Sequence, residues 1–122
     1  MKILIVDDIA INRFILKEIV KKLGYEYYEV DNGLKAYNYF KENEVGLIFL
    51  DIEMPVMNGL ETARKIRTTF NVPKNKVLIY ALTAYSGSIL NEEVDISDFD
   101  GIINKPYSEE KIKNLLASLK NM

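Results

Sequence analysis

Four polar clusters stand where apolar runs end: Asp7-Asp8 after Ile3–Val6, Asp51 after Leu47–Leu50, Thr83 after Val77–Leu82, and Lys105 after Ile102-Ile103. Carboxylates brought within a few ångströms repel one another unless a proton or cation compensates. The chain has no His and no Cys, so a metal would have to take oxygen ligands, which points to Mg²⁺, Ca²⁺ or Mn²⁺. Mg²⁺ commonly takes one or two protein carboxylates and keeps room for waters and a phosphate oxygen. A lysine adds a mobile positive charge for phosphate and a threonine hydroxyl adds a donor. The set therefore suits in-line phosphoryl transfer, with Asp51 as the candidate nucleophile. The missing histidine also excludes a Ser-His-Asp triad, a His-ligated metal and a phosphohistidine on this chain.

These residues can meet only if the runs they end are neighbouring strands. Ile3–Val6, Leu47–Leu50 and Val77–Leu82 have no polar alternation, the mark of strands covered on both faces of a parallel sheet. Tyr25–Val30 interleaves Glu26 and Glu29 with aromatics and suits an edge. Between the strands the period changes. Ile11, Ile15, Ile19 and Leu23, with Leu16 and Val20 beside them, predict a helix closed by Gly24. Further helices are expected from Gly33 through Phe40, from Leu60 through Arg67, over Ser86–Ser97 with the least support, and after Ser108 with Ile112, Leu115, Leu116 and Leu119 as its core stripe. Five strands alternating with five helices predict an α/β doubly wound parallel sheet in the flavodoxin-like order 2-1-3-4-5. In that order strands 1 and 3 lie side by side at the switch point, and ligands bind beyond the carboxyl ends of the strands.

A length of 122 residues allows one domain, and a net charge of −2 gives no footprint for nucleic acid or anionic lipid. The apolar run after Met1-Lys2 is too short for a signal peptide, and no run spans a membrane. A soluble cytoplasmic protein is expected.

Singly, each site residue has a plain explanation. Asp7 and Asp8 could be a solvated strand end or cap the next helix, Asp51 could form a turn before Pro55, Thr83 could be a β-branched strand residue, and Lys105 a surface charge. Together they require four coincidences at one end of one sheet.

The ordered set resembles a response-regulator receiver domain. The resemblance is carried by Asp7-Asp8, the D-I-E-M-P-V-M-N-G stretch from Asp51, A-L-T-A around Thr83, and Lys105-Pro106, and it runs from the first strand to the last helix. The I-x-x-N-R segment, Ile9 to Arg13, is similar to receivers attached to hybrid histidine kinases. The resemblance implies that Asp51 accepts a phosphoryl group from the phosphohistidine of a histidine kinase or phosphotransfer protein. It implies Mg²⁺ held directly by Asp8, Asp51 and the Glu53 carbonyl, with Asp7 acting through water. Thr83 and Lys105 would contact the phosphoryl oxygens, Ala84 would keep the donor's approach open, and Glu53 and Tyr85 would stand at lifetime-tuning positions. A cis peptide at Lys105–Pro106 is implied too. Two departures stand out: Ile102 replaces the usual Tyr or Phe switch residue, and Asp95–Asp100 is unusually acidic and lacks the glycine expected there.

Two other classes compete. A small Mg²⁺-dependent aspartyl phosphatase would carry a second Asp where Glu53 stands, and a flavin carrier would need a Ser/Thr/Gly-rich loop in place of Asp7-Asp8-Ile9-Ala10. A docking-only receiver is a further alternative. With no effector segment, the chain reads as either a stand-alone shuttle or a piece of a longer regulator. The tyrosines from Tyr25 to Tyr39 read as edge packing, and Asp98 and Asp100 do not make a calcium loop because Ile96 and Tyr107 fall at its first and last ligand positions.

Overall fold

The computed structural model describes residues 1–84 and 95–120. Five strands, β1 (Lys2–Val6), β2 (Glu26–Val30), β3 (Leu47–Asp51), β4 (Leu78–Thr83) and β5 (Gly101–Asn104), pair in parallel in the order β2-β1-β3-β4-β5. This is the expected doubly wound sheet, with β1 and β3 adjacent at the switch point. Helices α1 (Ala10–Lys22), α2 (Gly33–Glu42), α3 (Gly59–Thr69) and α4 (Glu109–Lys120) cover it. Among the described residues no helix is long and apolar enough to cross a membrane. The expected Ser86–Ser97 helix falls mostly outside the described residues, and so does Tyr85.

The unbroken apolar runs divide by parity between two layers. Leu4, Val6, Ile48, Leu50 and Ile79 pack with Ala36, Phe40, Ala63 and Ile66 from α2 and α3. Ile3, Ile5, Leu47, Phe49, Leu82 and Ile103 pack with Leu16, Val20, Ile112 and Leu116 from α1 and α4. A strand with helices on both sides needs apolar residues at every position, because alternate side chains face opposite layers.

The helix ends follow local chemistry. Asn58 and Glu61 form a capping box at α3, each side chain accepting from the other's backbone N–H at 2.9 and 3.1 Å. Asn32 caps α2 and Ser108 caps α4, by accepting from Lys35 N–H and Lys111 N–H. At the end of α1 the Gly24 N–H donates to Lys21 O and the Tyr25 N–H to Val20 O, with Gly24 at φ +89°. That left-handed turn is the role of a C-terminal glycine.

Helix α1 departs from the expected stripe. Leu16 and Val20 are buried, whereas Ile11 and Ile15 are exposed together with Ile9 and Phe14. The helix carries two apolar faces, and only one meets the sheet.

The acidic stretch before β5 also has a physical reason. Arg67 donates to the carbonyls of Asp98, Asn75 and Val77 and pairs with Asp100 at 3.1 Å. Asp100 accepts from Ile79 N–H through Oδ2 and donates its own N–H to Ile79 O. Arg64 pairs with Asp95 and Asp98. The acids are therefore the counterparts of two arginines on α3, which anchor this segment across the start of β4.

Candidate functional site

The sheet brings the strand-end residues together at its carboxyl edge. Asp7 follows β1, Asp51 ends β3, Thr83 ends β4, and Lys105 follows β5. Asp7, Asp51 and Thr83 are almost wholly buried, and Asp8 is exposed. Carboxylate oxygens of Asp7, Asp8 and Asp51 all lie within 4.8 Å of one another. The lysine reaches in from the side: Lys105 Nζ is 3.0 Å from Asp7 Oδ2 and 3.4 Å from Asp51 Oδ2.

Local hydrogen bonds fix both buried acids. Ile9 N–H donates to Asp7 Oδ1 at 2.9 Å, and Glu53 N–H donates to Asp51 Oδ1 at 3.0 Å. Helix α1 is not capped by either acid, since its N-cap is Ile9 and makes no side-chain cap. The capping explanation of Asp7 and Asp8 therefore fails. Lys105 is only 14 % exposed in its side chain, so it is no surface charge either. The turn-forming reading of Asp51 survives in part, because its bond to Glu53 N–H is a turn of the Asx kind. That bond uses one oxygen and leaves Oδ2 directed at the lysine.

Burial pushes the Asp51 pKa up to about 7; the Glu53 N–H opposes the rise, Asp7 adds to it, and Lys105 opposes it. For Lys105, burial works against the charged amine, but the hydrogen bond to Asp7 and the charge of Asp51 outweigh it and hold the pKa above its ordinary value. A buried carboxylate whose charge is costly, next to two more acids, is a group that gains from a cation. The donor set is all oxygen, which suits a hard ion such as Mg²⁺.

Glycine supplies the close approach this loop needs. A Cβ on Gly59 would lie 2.4 Å from Asp51 O and 2.8 Å from Ile52 Cα, and the Gly59 N–H donates to Ile52 O at 3.0 Å. The start of α3 is therefore seated directly on the Asp51 peptide. Between them Val56 is 92 % exposed at φ +69°, a conformation costly for a β-branched residue.

Of the other expected positions, Glu53 is exposed and brings its backbone, not its carboxylate, to Asp51. Ala84 is exposed just past Thr83. Ile102 pairs in register with Ala81 and packs against the buried Ile52 and Ala81. Lys105–Pro106 is cis. Two residues carry roles that sequence reasoning did not assign. Tyr107 brings its hydroxyl to 3.4 Å from Asp7 Oδ2, and burial first, then the charge of Asp7, raises its pKa. Arg13 Nη1 donates to Asp7 O at 2.8 Å. Nothing in K-P-Y separates a site hydroxyl from a core ring, and nothing in I-x-x-N-R says which carbonyl the arginine meets.

The family profile of the response regulator receiver domain matches residues 3–117. The chain belongs to the response-regulator receiver family. Receiver domains are modules of two-component and phosphorelay signalling. This receiver is 31 % identical over 121 residues to the autoinducer 1 sensor kinase/phosphatase LuxN of Vibrio campbellii, an alignment that covers 98 % of this chain and 13 % of LuxN. It thus spans only about an eighth of that relative's length. Among solved structures, the response regulator TrrA of Thermotoga maritima, in complex with Mg²⁺-BeF, matches with a TM-score of 0.84 and 34 % identity over 97 % of both chains. The receiver domain of Saccharomyces cerevisiae Ssk1, crystallised with the histidine phosphotransfer protein Ypd1, belongs to a match with a TM-score of 0.82 and 29 % identity, covering 96 % of this chain and 86 % of the other.

Proposed function

We propose that residues 1–122 form one receiver domain that takes a phosphoryl group onto Asp51 from a phosphohistidine of a histidine kinase or phosphotransfer protein. The observation that carries this reading is the meeting of three acids within 4.8 Å with Lys105 between two of them. In the transfer, an Asp51 carboxylate oxygen attacks phosphorus in line, the P–N bond to the donor imidazole breaks, and the imidazole leaves with its electron pair and takes a proton. Asp7, Asp8, Asp51 and the Glu53 carbonyl would hold Mg²⁺, which when bound neutralises charge on the phosphoryl oxygens. Lys105 keeps its proton, as its raised pKa favours, and pairs with a phosphoryl oxygen. Thr83 supplies a hydroxyl from the adjacent strand end.

The chain has no histidine, so the donor imidazole belongs to another domain or another protein. Ile9, Ile11, Phe14 and Ile15 form an exposed apolar face at the start of α1, one residue past Asp8. That face suits a phosphohistidine-bearing partner that must sit over Asp51, and the pairing of the related Ssk1 receiver with Ypd1 supports such a partner. The output side would be read through Ala84, Tyr85 and Ile102, with Ile102 replacing an aromatic switch. The exchange is assigned to the cytoplasm, and the chain catalyses its own phosphorylation and dephosphorylation without turning over a metabolite.

Incubation with acetyl phosphate and Mg²⁺, followed by intact mass measurement, tests the reading. A gain of one phosphoryl group in the wild type, absent without Mg²⁺ and absent in Asp51→Asn, is expected. No adduct on folded protein from either acetyl phosphate or a phosphohistidine donor would overturn it.

A further inference from the structure

Strand β2 lies at the sheet edge, yet one of its acids is tied into the site. Arg13, in the first turns of α1, donates from Nη1 to Asp7 O at 2.8 Å and from Nε to Glu29 Oε1 at 3.2 Å. Lys17 Nζ stands 3.8 Å from the other Glu29 oxygen. The guanidinium thus bridges the β2 edge and the turn that carries the acidic pair. Its side chain is 19 % exposed and that of Glu29 33 %.

The carbonyl that Arg13 holds belongs to the peptide joining Asp7 to Asp8. The two acids depend on that peptide differently. Asp7 is also fixed by Ile9 N–H on Oδ1 and by Lys105 on Oδ2. Asp8 is exposed, and the direction in which it leaves the chain is set by the peptide plane before it. If the Asp7 carbonyl turned to water, the plane would rotate and Asp8 would leave the group of oxygens gathered within 4.8 Å. A charge-assisted bond from a planar guanidinium, itself anchored by a carboxylate, restrains that rotation better than water does.

We propose that Arg13, braced by Glu29, is a positioning residue of the acidic site: it fixes the Asp7–Asp8 peptide and so preorganises Asp8 for a divalent cation. The inference rests on the Mg²⁺-dependent receiver reading above. It assigns a purpose to the half-exposed charge on β2, which as an ion pair alone contributes little to stability.

The test is calorimetric titration with Mg²⁺ of the wild type, Arg13→Met, Glu29→Gln and Arg64→Met, with amide hydrogen exchange at Ile9 measured on the metal-free proteins. Arg13→Met keeps the aliphatic stem but has no donor. Loss of a residue that orients a metal ligand typically weakens affinity by 10-fold or more, so roughly tenfold weaker Mg²⁺ binding and faster exchange at Ile9 are expected for Arg13→Met. Glu29→Gln should move both readouts the same way by less, and it carries the test if Arg13→Met does not fold. Arg64→Met, which removes the ion pairs of Arg64 with Asp95 and Asp98, should leave both unchanged, separating positioning from general loss of stability. Unchanged affinity and unchanged exchange in folded Arg13→Met and Glu29→Gln would overturn the proposal. A wild type that takes no Mg²⁺ would instead overturn the receiver reading, and exchange at Ile9 would still decide whether Arg13 pins the turn.

Discussion

Replacing Gly59 by alanine should damage the site through the backbone alone. The added Cβ would stand 2.4 Å from Asp51 O, where ordinary contact begins at 3.4 Å, so that atom must retreat by 3.4 − 2.4 = 1.0 Å. The three nearest atoms are all main chain of Asp51 and Ile52, and no rotamer change can absorb the clash. Lifting the helix away would lengthen the 3.0 Å bond from Gly59 N–H to Ile52 O. Overpacking of this kind costs about 1–3 kcal/mol, and the lower unfolded-state entropy of alanine offsets about 0.4–1 kcal/mol. A net loss of about 1–2 kcal/mol would lower Tm by roughly 3–10 °C in a domain of this size. A carboxylate displaced by about 1 Å can lose on the order of 100-fold in rate, so phosphorylation by acetyl phosphate, followed by mass against time, should slow by that order. Gly24→Ala is the matched control. Gly24 sits at φ +89° with nothing within 4 Å of a built Cβ, so strain of about 1–2 kcal/mol is expected with no effect on the site. A wild-type phosphorylation rate in Gly59→Ala, or an equal slowing in Gly24→Ala, would deny Gly59 this part in the site.

Val56→Asn should raise Tm by thermal circular dichroism, because asparagine tolerates the left-handed conformation that costs valine about 1 kcal/mol; the 92 % exposed side chain has little contact to lose, and a lower Tm would contradict the strain. Arg67→Met strips donors from three backbone carbonyls and unpairs Asp100, which should cost about 2–4 kcal/mol by urea unfolding, whereas the more exposed Arg64→Met should cost under about 1 kcal/mol. Equal effects would deny Arg67 its anchoring role. The Asp51 pKa is raised from 3.8 to about 7, with burial the main cause, so the proton competes with the cation. Apparent Mg²⁺ affinity should therefore fall as pH drops below about 7 and level off above it, and a flat calorimetric profile from pH 6 to 8 would refute the competition. The same raised pKa means that the metal-free native state binds this proton more tightly than the unfolded chain, so its contribution to stability is present below about pH 4 and is lost as pH rises towards 7.

The strand order and the meeting of Asp7, Asp51, Thr83 and Lys105 were legible because they depend on short-range signals. An apolar run without alternation must be covered on both faces, and the polar residue that ends it must lie at the sheet's edge. The layer assignment follows from parity alone, as Ile3 and Ile5 against Leu4 and Val6 show. Periodicity is weaker when a helix has two apolar faces. It groups Ile11 with Ile15 and Leu16 with Val20, but cannot say which pair meets the sheet, because residues three or four apart share a face wherever that face points. In α1 the covered pair is Leu16 and Val20, while Ile11 and Ile15 stay exposed.

Partners distant in sequence were the harder part. Asp100 is matched by Arg67, 33 positions earlier, and Tyr107 meets Asp7 across 100 positions; neither pairing leaves a local pattern. Arg13 is a mixed case. Its place one helical turn past the acids is visible in the sequence, but its use depends on Glu29 arriving from the edge strand, which only the order β2-β1-β3 arranges. Moving β2 elsewhere in the sheet would leave the same two charges apart and Arg13 unbraced where it meets the Asp7 carbonyl. The edge strand that looks least involved thus bears on the acidic pair through one guanidinium, and a change at Glu29, well away from Asp51 in sequence, should be felt in how Asp8 meets a cation.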